Sequence, residues 1–393
     1  MDVLERTARR GVDVRVIFWR PDAETASLKR NAFWGAPEHF DLLRRGDHQV
    51  KIRWDRAHPG FCQHQKTWLI DAGGGTETSF VGGINLNPHS LVAPGHDGER
   101  QNHDVYIELA GPSVADVHHN FVQRWNESSE RYADGGRWGD GSEIDLLFPH
   151  RVPAQRGASI VQVQRTTHRG RYTERHAPPV GSSFDIASGE QTIFEQYVAA
   201  IRAARRSIYI ENQYVEVAEI VAGLHEALRR GVEVVLLMPA VPDISPTAYA
   251  TPERSAFFEA RSALGTYENF TLAGIAGIGA DGRRKPVYVH AKLMLIDDAW
   301  ATVGSCNLHR FSLFGNGELN AALSHPDTVR AFRITLFDEH LAQDTSAIDD
   351  RGALQLFRQI ARENRQRHEN GDPKWQGLAF SLDAATYGQA TQF

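Results

Sequence analysis

The chain has 393 residues, of which 41% are hydrophobic and 23% are charged, a balance that excludes a globally disordered protein. The length allows about two to three domains. A net charge of −6 leaves no basic footprint for duplex nucleic acid, and two cysteines exclude a disulfide framework and a four-cysteine zinc site. The longest apolar runs are too short for a transmembrane helix. Because the N-terminus lacks a signal peptide's apolar core, we expect a protein that is cytoplasmic or peripheral to a membrane, unless the true start lies upstream.

An internal repeat organises the sequence. RRGVDV at 9–14 matches RRGVEV at 229–234, and in each copy a helix end and a glycine precede a buried strand. Three further pairs follow in the same order, and an amphipathic helix closes each half, at 113–126 and at 327–342. The pairs are QHQKTWLID (63–71) with VHAKLMLID (289–297), SFVGGIN (79–85) with ATVGSCN (301–307), and DVYIEL (104–109) with ELNAAL (318–323). Gene duplication is the simplest explanation.

The order of elements predicts an α/β fold. Helices mix with strands that are apolar on both faces, which indicates a mixed sheet flanked by helices in each half. The predicted divisions are a first half at 1–150, a second half at 151–345 and a helical or irregular tail at 346–393. A linker rich in glycine, proline and charge covers 126–157. The second half begins with a strand at 161–165, a helix at 193–206 and a strand at 207–214, and the first half has no counterpart of the last two.

The pattern H-x-K-x4-D occurs twice, as His64, Lys66 and Asp71 and again as His290, Lys292 and Asp297. Composition alone predicts about 0.02 such matches, and the second copy lies at the equivalent place in the repeat. On a strand, positions i and i+2 face the same way, so each histidine shares a face with its lysine. The imidazole can attack or protonate a reacting group while the ammonium neutralises an oxyanion. The two aspartates fall on the opposite face, so we expect ion pairs or backbone caps that fix the strand end.

Three further pairs of residues are candidates for the same site. Asn85 and Asn307 follow small residues, which let the backbone approach a ligand, and their amides can donate to phosphate oxygens; an ordinary turn is the alternative. Asp104 and Glu318 open the next strand in each half and are expected to hold a histidine tautomer, with a solvated acid as the alternative. Glu211 and Gln213 share a strand face. They line the site or belong to a buried structural network.

Other reactive or aromatic residues carry weaker signals. Five aromatic side chains could line an entrance for acyl chains, although core packing is favoured for each: Phe18, Trp19, Phe33, Trp34 and Trp54. Cys62 and Cys306 are expected to act as small hydrophobic residues. The remaining histidines, such as His89, His118 and His119, show no ligand spacing repeated between the halves. No metal site and no cofactor are therefore predicted.

The duplicated H-x-K-x4-D motif with its trailing Gly-Gly/Ser-x-Asn resembles the signature of the phospholipase D superfamily. Three stretches further resemble phosphatidylcholine-type phospholipases D: FVGGINL (80–86), HDVYIELAGPSVADVHHNFVQRWN (103–126) and SIYIENQY (207–214). The resemblance covers roughly 9–341 and implies two similar halves related by a pseudo-twofold axis, with one active site at their junction. It also implies phosphodiester cleavage through a covalent phosphohistidine without a metal.

The resemblance also implies roles for the candidate residues. One of His64 and His290 is the nucleophile and the other the general acid, and we favour His64 as the nucleophile. The groups that hold the non-bridging oxygens are Lys66, Lys292, Asn85 and Asn307, and the acids that support the histidines are Asp104 and Glu318. The family's first half normally begins with a helix and a strand before Arg9. Either the true start lies upstream or an early strand is absent, which would expose a sheet edge.

The predicted function is hydrolysis of glycerophospholipids to phosphatidic acid and a head-group alcohol, with transphosphatidylation when an alcohol replaces water. A cardiolipin-synthase-like phosphatidyltransferase is the alternative, and a nuclease or an inactive lipid-binding module is less favoured. The expected partners are a glycerophospholipid substrate and a membrane surface contacted peripherally, and nucleic acid is not expected. Head-group preference, acyl preference and oligomeric state stay open.

Overall fold

The computed structural model describes residues 2–21, 39, 41, 49–98, 100–242, 251–388 and 392–393. The α-helices in these residues are α1 (Asp2–Arg9), α2 (Val114–Asn126), α3 (Thr192–Ala203), α4 (Ala218–Arg229), α5 (Pro252–Ser262), α6 (Arg310–Phe314), α7 (Pro326–Leu341) and α8 (Asp350–Glu369). The strands of the first half and of the segment after it are β1 (Arg15–Trp19), β2 (Lys51–Asp55), β3 (Lys66–Ile70), β4 (Thr78–Gly82), β5 (Asn102–His103), β6 (Tyr106–Ala110) and β7 (Arg137–Trp138). Those of the second half are β8 (Ile160–Thr167), β9 (Glu190–Gln191), β10 (Ser207–Glu211), β11 (Glu233–Leu237), β12 (Phe270–Ile278), β13 (Arg284–Val289), β14 (Leu293–Ile296), β15 (Trp300–Gly304), β16 (Glu318–Ser324) and β17 (Ala379–Ser381). Short 3-10 helices cover Pro88–Ser90, Ile186–Ser188 and Ala263–Thr266.

The second half is built on one mixed sheet of 11 strands. Its order is β5-β13-β12-β11-β10-β14-β15-β16-β8-β9, with β17 paired to β12. The strands β10, β11 and β12 are parallel, and β14, β15, β16 and β8 follow antiparallel. Along β10 the side chains alternate between two cores, because successive residues of a strand point to opposite faces. Ile208 and Ile210 pack with α3 and α4, whereas Tyr209 packs with α7 and α8.

The first half has the same strands in two separate three-stranded sheets, β1-β2-β7 and β3-β4-β6. By the repeat, β1 and β3 correspond to β11 and β14, and in the second half β10 lies between those two and joins them. Within the described residues no strand takes the place of β10 between β1 and β3. In the part of the chain that the structure describes, the first half therefore lacks the link that β10 provides in the second half. A cleft of about 910 Å³ opens beside α1, β2 and β7, and none of the candidate site residues lines it.

The two halves pack together through their equivalent strands. Strands β4 and β6 contact β15 and β16, and a small apolar core forms between them. It contains Val81 and Leu109 from the first half and Leu319 and Ala321 from the second. The predicted α/β fold, with two similar halves that each contain strands flanked by helices, is confirmed. The junction brings the two H-x-K segments to one place.

Two segments are more ordered than their composition indicated. The proposed linker at 126–157 contains β7, which pairs with β2, and carbonyls of Trp125 and Ser142 accept hydrogen bonds from the buried Arg53 guanidinium. The end of the C-terminal tail, expected to be irregular, forms β17 against β12, and α8 covers one face of the same sheet. In both cases backbone pairing with a distant strand supplies order that local composition does not indicate.

The aromatic residues of the first half pack as core where the structure describes them. Trp54 is fully buried beside Ile52, and Phe18 packs against the same cluster. Trp19 is half-buried in β1. Phe33 and Trp34 lie outside the described residues. None of the helices in the described residues is long and apolar enough to cross a membrane.

Candidate active site

Both candidate histidines lie in extended segments that lead into strands, rather than within the strands as the sequence indicated. Strand β3 begins at Lys66 and β14 at Leu293. The backbone of each histidine is instead held by the other half of the chain. His64 N–H donates to the Gly317 carbonyl at 2.8 Å, and His290 N–H donates to the His103 carbonyl at 2.8 Å. The accepting residues are equivalent in the repeat, since each immediately precedes a candidate acid.

The two acids bind the histidines crosswise. The Nδ1 atom of His64 lies 3.1 Å from both carboxylate oxygens of Glu318. The Nδ1 atom of His290 lies 2.5 Å from Oδ2 of Asp104. Each acid therefore comes from the opposite half, which the sequence did not specify. A carboxylate on Nδ1 fixes the ring's tautomer and leaves Nε2 available for chemistry.

The surroundings of the two acids differ. Glu318 is fully buried and accepts hydrogen bonds from Ser305 Oγ at 2.6 Å, Ser312 Oγ at 2.6 Å and Asn316 Nδ2 at 3.3 Å, besides His64. Burial acts to raise the pKa of Glu318, but the charge and hydrogen bond of His64, with Lys66 and Ser305, lower it overall. Sharing among several donors stabilises this carboxylate as an anion.

Asp104 has fewer side-chain donors. Besides His290 it accepts the backbone N–H of Val105 at 2.9 Å. Burial acts to raise its pKa, yet the hydrogen bond from His290 and the charge of Lys292 lower it. The carboxylate is thus held charged against one imidazole, in a single short charge-assisted contact.

Each lysine donates a hydrogen bond to the backbone carbonyl of the histidine in its own motif. The charges of both lysines also lower the pKa of both histidines. Lys66 Nζ donates to the His64 carbonyl at 2.6 Å, and Lys292 Nζ donates to the His290 carbonyl and to Gln213 Oε1 at 2.6 Å. Burial lowers the pKa of His64 to about 4 and that of His290 to about 3, and Lys66 and Lys292 both contribute to the lowering at each ring. Burial also lowers the pKa of Lys292 to about 7. Together with the crosswise contacts between histidines and acids, these mutual effects fit a single site shared by the two motifs.

The small residues after β4 and β15 make room for the acids. A Cβ at Gly83 would lie 2.4 Å from Asp104 Oδ1, so glycine lets the carboxylate approach. Its counterpart Ser305 donates to Glu318 instead. The sequence had indicated that these residues admit a ligand. Asn307 is buried, with an Oδ1 that has no hydrogen-bond partner among the described residues, and Asn85 is half-buried at the equivalent place.

Asp71 and Asp297 terminate strands. Both adopt the left-handed backbone region, with φ of 54° and 56°, which aspartate tolerates better than most residues. Asp297 accepts the backbone N–H groups of Arg206 and Ser207 at 2.7 and 2.9 Å and so fixes the start of β10. Asp71 accepts a hydrogen bond from Thr76 Oγ1 at 3.0 Å. These contacts are those of backbone and turn caps.

Glu211 and Gln213 have different surroundings although they are two residues apart. Gln213 bridges Lys292 and the Tyr288 hydroxyl, the latter at 2.7 Å, and so touches the site. Glu211 is fully buried and accepts hydrogen bonds from His103, His340 and Tyr209. Gln213 lines the site, whereas Glu211 belongs to a buried network beneath it.

Sequence reasoning missed several residues around the site. Ser312 donates to Glu318 from α6 and Asn316 from the loop before β16, and no spacing pattern marks them. The sequence also did not indicate that several histidines lie close to carboxylates in space. Two groups place possible metal-ligating atoms within 4.8 Å of one another, namely His96, His103 and Glu339, and His103, Glu211 and His340. The one signal available was that His103 immediately precedes Asp104.

The cysteines beside the motifs take no visible part in the site. Cys62 and Cys306 form no disulfide, and burial raises the pKa of the Cys306 thiol well above its usual value. A protonated, buried thiol packs as a small apolar side chain.

Comparison with protein families settles the membership of the chain. A family model described as "Cardiolipin synthase, PLD-like domain" matches residues 1–125 and 197–340, more than half of the chain, and one described as "Phospholipase D" matches 95–217. The chain belongs to the phospholipase D superfamily. The resemblance drawn from the duplicated motif is thereby confirmed at the level of the superfamily.

Individual relatives of this phospholipase D superfamily chain are distant. Phospholipase D alpha 4 of Arabidopsis thaliana is 24% identical over 454 residues, covering 88% of this chain and 58% of the relative. A cardiolipin synthase of Listeria welshimeri is 23% identical over 347 residues, covering 87% of this chain and 60% of the relative. The chain thus spans about 60% of the length of these curated relatives. Among solved structures, NucT from Helicobacter pylori has 17% identity and a TM-score of 0.30, covering 36% of this chain and 83% of that one.

Proposed function

We propose that this chain is a phospholipase D-type phosphodiesterase that hydrolyses glycerophospholipids to phosphatidic acid and a head-group alcohol. The observation that carries the proposal is the crosswise arrangement of two histidines, each held at Nδ1 by a carboxylate from the opposite half. Two lysines that act on both rings accompany them. A pair of imidazoles with free Nε2 atoms beside fixed positive charge suits attack on, and protonation of, a phosphodiester.

In the first proposed step, neutral His64 attacks phosphorus through Nε2. Its side chain is 19% exposed, against 9% for His290, which favours it as the group that meets the substrate. The bond from phosphorus to the head-group oxygen breaks as the N–P bond forms, and that oxygen takes the proton of His290 Nε2. The products of the step are a phosphohistidine at His64 and the released alcohol.

In the second proposed step, His290 is the general base. It accepts a proton from water, the water oxygen attacks phosphorus, and the N–P bond breaks to release phosphatidic acid and neutral His64. An alcohol in place of water gives transphosphatidylation. Asp104 supports the imidazolium form of His290 in both steps.

Fixed positive charge supplies the remaining stabilisation. A diester carries one negative charge and attack builds more, so we assign the non-bridging oxygens to Lys66, Lys292, Asn85 and Asn307. Preorganised donors of this kind contribute several kcal/mol in a water-poor site. Burial and Lys292 hold the pKa of His290 at about 3 in the empty site. A bound phosphodiester adds an opposing negative charge, which favours the protonated ring that the first step needs.

A phosphatidyltransferase of the cardiolipin synthase type is the second candidate. It is favoured by the family model that matches residues 1–125 and 197–340 and by the Listeria relatives. The same phosphohistidine would then be attacked by a lipid alcohol. A nuclease is less supported because the net charge is −6, and an inactive lipid-binding module is less supported because both histidines and both lysines are present.

Lipid substrates also require contact with a membrane surface. Leu86 and Leu91 are 78% and 86% exposed and flank the short turn that follows Asn85. We propose that this apolar turn meets the bilayer. The double variant Leu86→Ser/Leu91→Ser should lose activity on phospholipid vesicles but keep it on a short-chain phospholipid dissolved as monomers. Equal activity of the variant and the parent chain on vesicles would contradict this contact.

The decisive experiment for the function is mass spectrometry of the products from mixed phospholipids, with and without ethanol. We expect phosphatidic acid alone without ethanol, phosphatidylethanol in its presence, and neither product from His64→Ala or His290→Ala. Cardiolipin formed from added phosphatidylglycerol would favour the transferase, and cleavage of single-stranded DNA alone would favour the nuclease. Turnover like that of the parent chain in either histidine variant would overturn the assignment.

A further inference from the structure

A buried network of histidines and carboxylates lies behind the pair formed by His290 and Asp104. At its centre is His103, whose Nε2 lies 2.8 Å from Glu211 Oε2 and whose Nδ1 lies 3.1 Å from His96 Nε2. Glu211 also accepts the Nε2–H of His340 at 3.0 Å. The rings of His103, His96 and His340 and the carboxylate of Glu211 are all buried. The proposed mechanism uses none of these side chains.

Both ring nitrogens of His103 have hydrogen-bond partners. Burial alone would lower its pKa, but the charge and hydrogen bond of Glu211 outweigh burial and raise the pKa to about 8. Nε2 donates to the Glu211 carboxylate, and Nδ1 shares a hydrogen bond with Nε2 of His96, which also lies 3.4 Å from Glu339 Oε1. This arrangement leaves the ring with one orientation.

The backbone of the same residue holds His290. The His103 carbonyl accepts the N–H of His290 at 2.8 Å and that of Ala291 at 2.9 Å. The next residue, Asp104, holds His290 Nδ1 at 2.5 Å. A single dipeptide therefore sets both the backbone and the ring of the proposed general acid.

The equivalent region of the second half shows why the His103 side chain is needed to hold the His103–Asp104 dipeptide. Gly317 and Glu318 hold His64 in the same way, through a carbonyl and a carboxylate. Glu318 begins β16, which has 7 residues and pairs on both sides, with β15 and β8. By contrast, β5 has 2 residues and, among the described strands, pairs with β13 alone, and Asp104 lies between β5 and β6. The backbone hydrogen bonds of a two-residue strand fix its position only weakly.

We propose that His103 is a positioning residue for His290. Its ring, clamped between Glu211 and His96, holds the His103–Asp104 dipeptide in the place from which it orients His290 for proton transfer to the leaving group. This inference rests on the proposed function, in which His290 is the general acid. His340 acts one step further away, through Glu211.

The same atoms could in principle hold a metal ion, but their geometry favours a hydrogen-bonded network. Two ligand atoms bound to one tetrahedral zinc ion, each about 2.0–2.1 Å from the metal, lie about 3.3 Å apart. The carboxylate oxygens of Glu211 are closer than that to Nε2 of His103 and of His340, at 2.8 and 3.0 Å. The Tyr209 hydroxyl also donates to Glu211, at 2.7 Å. Histidine ligands usually donate their other N–H, yet Nδ1 of His340 is buried with no partner among the described residues.

The test uses two lipids with the same acyl chains and different leaving groups, phosphatidylcholine and phosphatidyl-p-nitrophenol. Choline needs a proton to leave, whereas p-nitrophenolate does not. In the full chain, His103→Gln should lower the single-turnover rate of leaving-group release from phosphatidylcholine by about 10- to 100-fold and that from the p-nitrophenyl lipid by less than about threefold, with the half-saturating lipid concentration unchanged. Single turnovers isolate the first step, because both lipids form the same phosphohistidine and its hydrolysis needs His290 as the base in either case. His340→Gln should give a smaller loss with the same selectivity.

A matched control comes from a second histidine–glutamate pair, in which Glu77 is buried and His118 is half-buried. His118, on α2, lies 2.8 Å from Glu77 and contacts none of the proposed site residues in the described structure. His118→Gln should leave the ratio of the two activities unchanged. Equal losses in the single-turnover rates for both lipids in a folded His103→Gln variant would mean a purely structural role and would overturn the inference. So would a stoichiometric divalent metal in the full chain that His103→Gln removes.

A second readout does not depend on turnover. The short bond between His290 and Asp104 should give a strongly downfield Nδ1 proton in the NMR spectrum, assigned by its loss in Asp104→Asn. His103→Gln should remove or shift this signal, and His118→Gln should retain it. A chain that cleaves neither lipid but behaves in this way would refute the proposed function and support the positioning role. An unchanged signal in His103→Gln would refute the positioning role alone.

Discussion

The two histidine–acid pairs are built by the same repeat and differ in what surrounds them. Glu318 divides its negative charge among His64, Ser305, Ser312 and Asn316, and its oxygens lie 3.1 Å from the imidazole. Asp104 directs its charge at His290, 2.5 Å away. A carboxylate shared among many donors stabilises an imidazolium less than one with few donors. The duplication supplies two equivalent positions, and the neighbouring side chains make them unequal.

This inequality suits two opposite duties. A nucleophile must be neutral and reachable, and His64 is the more exposed ring. A general acid must hold a proton when substrate is bound, and the nearly exclusive contact with Asp104 supports the protonated form of His290. In the empty site burial and Lys292 outweigh that support, so the pKa of His290, about 3, lies below that of His64, about 4. A bound phosphodiester opposes both effects and favours the protonated ring. Catalytic pairs are often made in this way, by environments that separate the proton affinities of two similar groups.

The largest effect should come from removing either imidazole, and the two losses should differ in kind. We expect His64→Ala to lose at least about 1000-fold on every phosphodiester, because no nucleophile remains. His290→Ala should lose as much on phosphatidylcholine but still react with a p-nitrophenyl lipid. It should then accumulate a phosphohistidine that is stable to alkali and labile to acid, because the base for the second step is missing. A covalent adduct in His64→Ala and none in His290→Ala would reverse the two roles.

The second-largest effect should distinguish the role of Asp104 from that of Glu318. Asp104→Asn should lower kcat by about 100- to 10 000-fold with little loss of stability, because the amide presents the wrong hydrogen-bonding pattern to His290. Glu318→Gln should lose less activity but about 1–3 kcal/mol of unfolding free energy, because its several buried donors would face an amide with one acceptor oxygen. Urea unfolding and kcat on phosphatidylcholine measure both quantities. The opposite ranking would show that sharing of donors does not distinguish the two acids.

Sequence reasoning could place the four histidine and lysine positions because a repeated pattern of rare residues is informative without any knowledge of the fold. It could not assign Asp104 to His290 and Glu318 to His64, because that pairing depends on how the halves dock. The strand placement of the histidines was wrong for the same reason, since their N–H groups bond to Gly317 and His103 of the other half.

The buried network lay beyond sequence reasoning for a different reason. His103, Glu211 and His340 come from β5, β10 and α7, and nothing in their spacing joins them. For His103 the one signal was its place beside Asp104. Glu211 gave a second signal, as a charge inside an otherwise apolar strand, and that signal fitted a network as well as a site. Long-range contacts of this kind are set by the topology of the sheet.

A smaller effect concerns the free energy of unfolding at mildly acidic pH. It should be about the same for His64 and His290. Burial first, and then the lysines, hold the pKa values of His64 and His290 at about 4 and about 3, below the unfolded value of about 6.5. Between these values the unfolded chain binds protons that the folded chain does not, so stability falls as pH drops below about 6.5. At pH 5 each ring costs about 2 kcal/mol relative to pH 8. His64→Asn and His290→Asn should each remove that part of the difference in urea unfolding, and an unchanged difference would contradict the burial of a neutral ring.

The smallest expected effect tests directly whether the neighbours of the two acids make the two histidines differ. It replaces a residue beside Glu318 with the residue found at the equivalent place beside Asp104. Ser305 corresponds to Gly83, and Ser305→Gly removes a donor that lies 2.6 Å from Glu318. The carboxylate would then act more strongly on His64 and raise its pKa from about 4 by a few tenths of a unit. Because attack requires neutral His64, the acidic limb of the pH profile of kcat/KM should move to higher pH by the same amount.

Ser312→Ala, which removes the donor 2.6 Å from the other carboxylate oxygen of Glu318, should shift this acidic limb in the same direction. If neither variant moves the limb, the donors around Glu318 do not set the proton affinity of His64, and the difference between the two rings must come from their exposure.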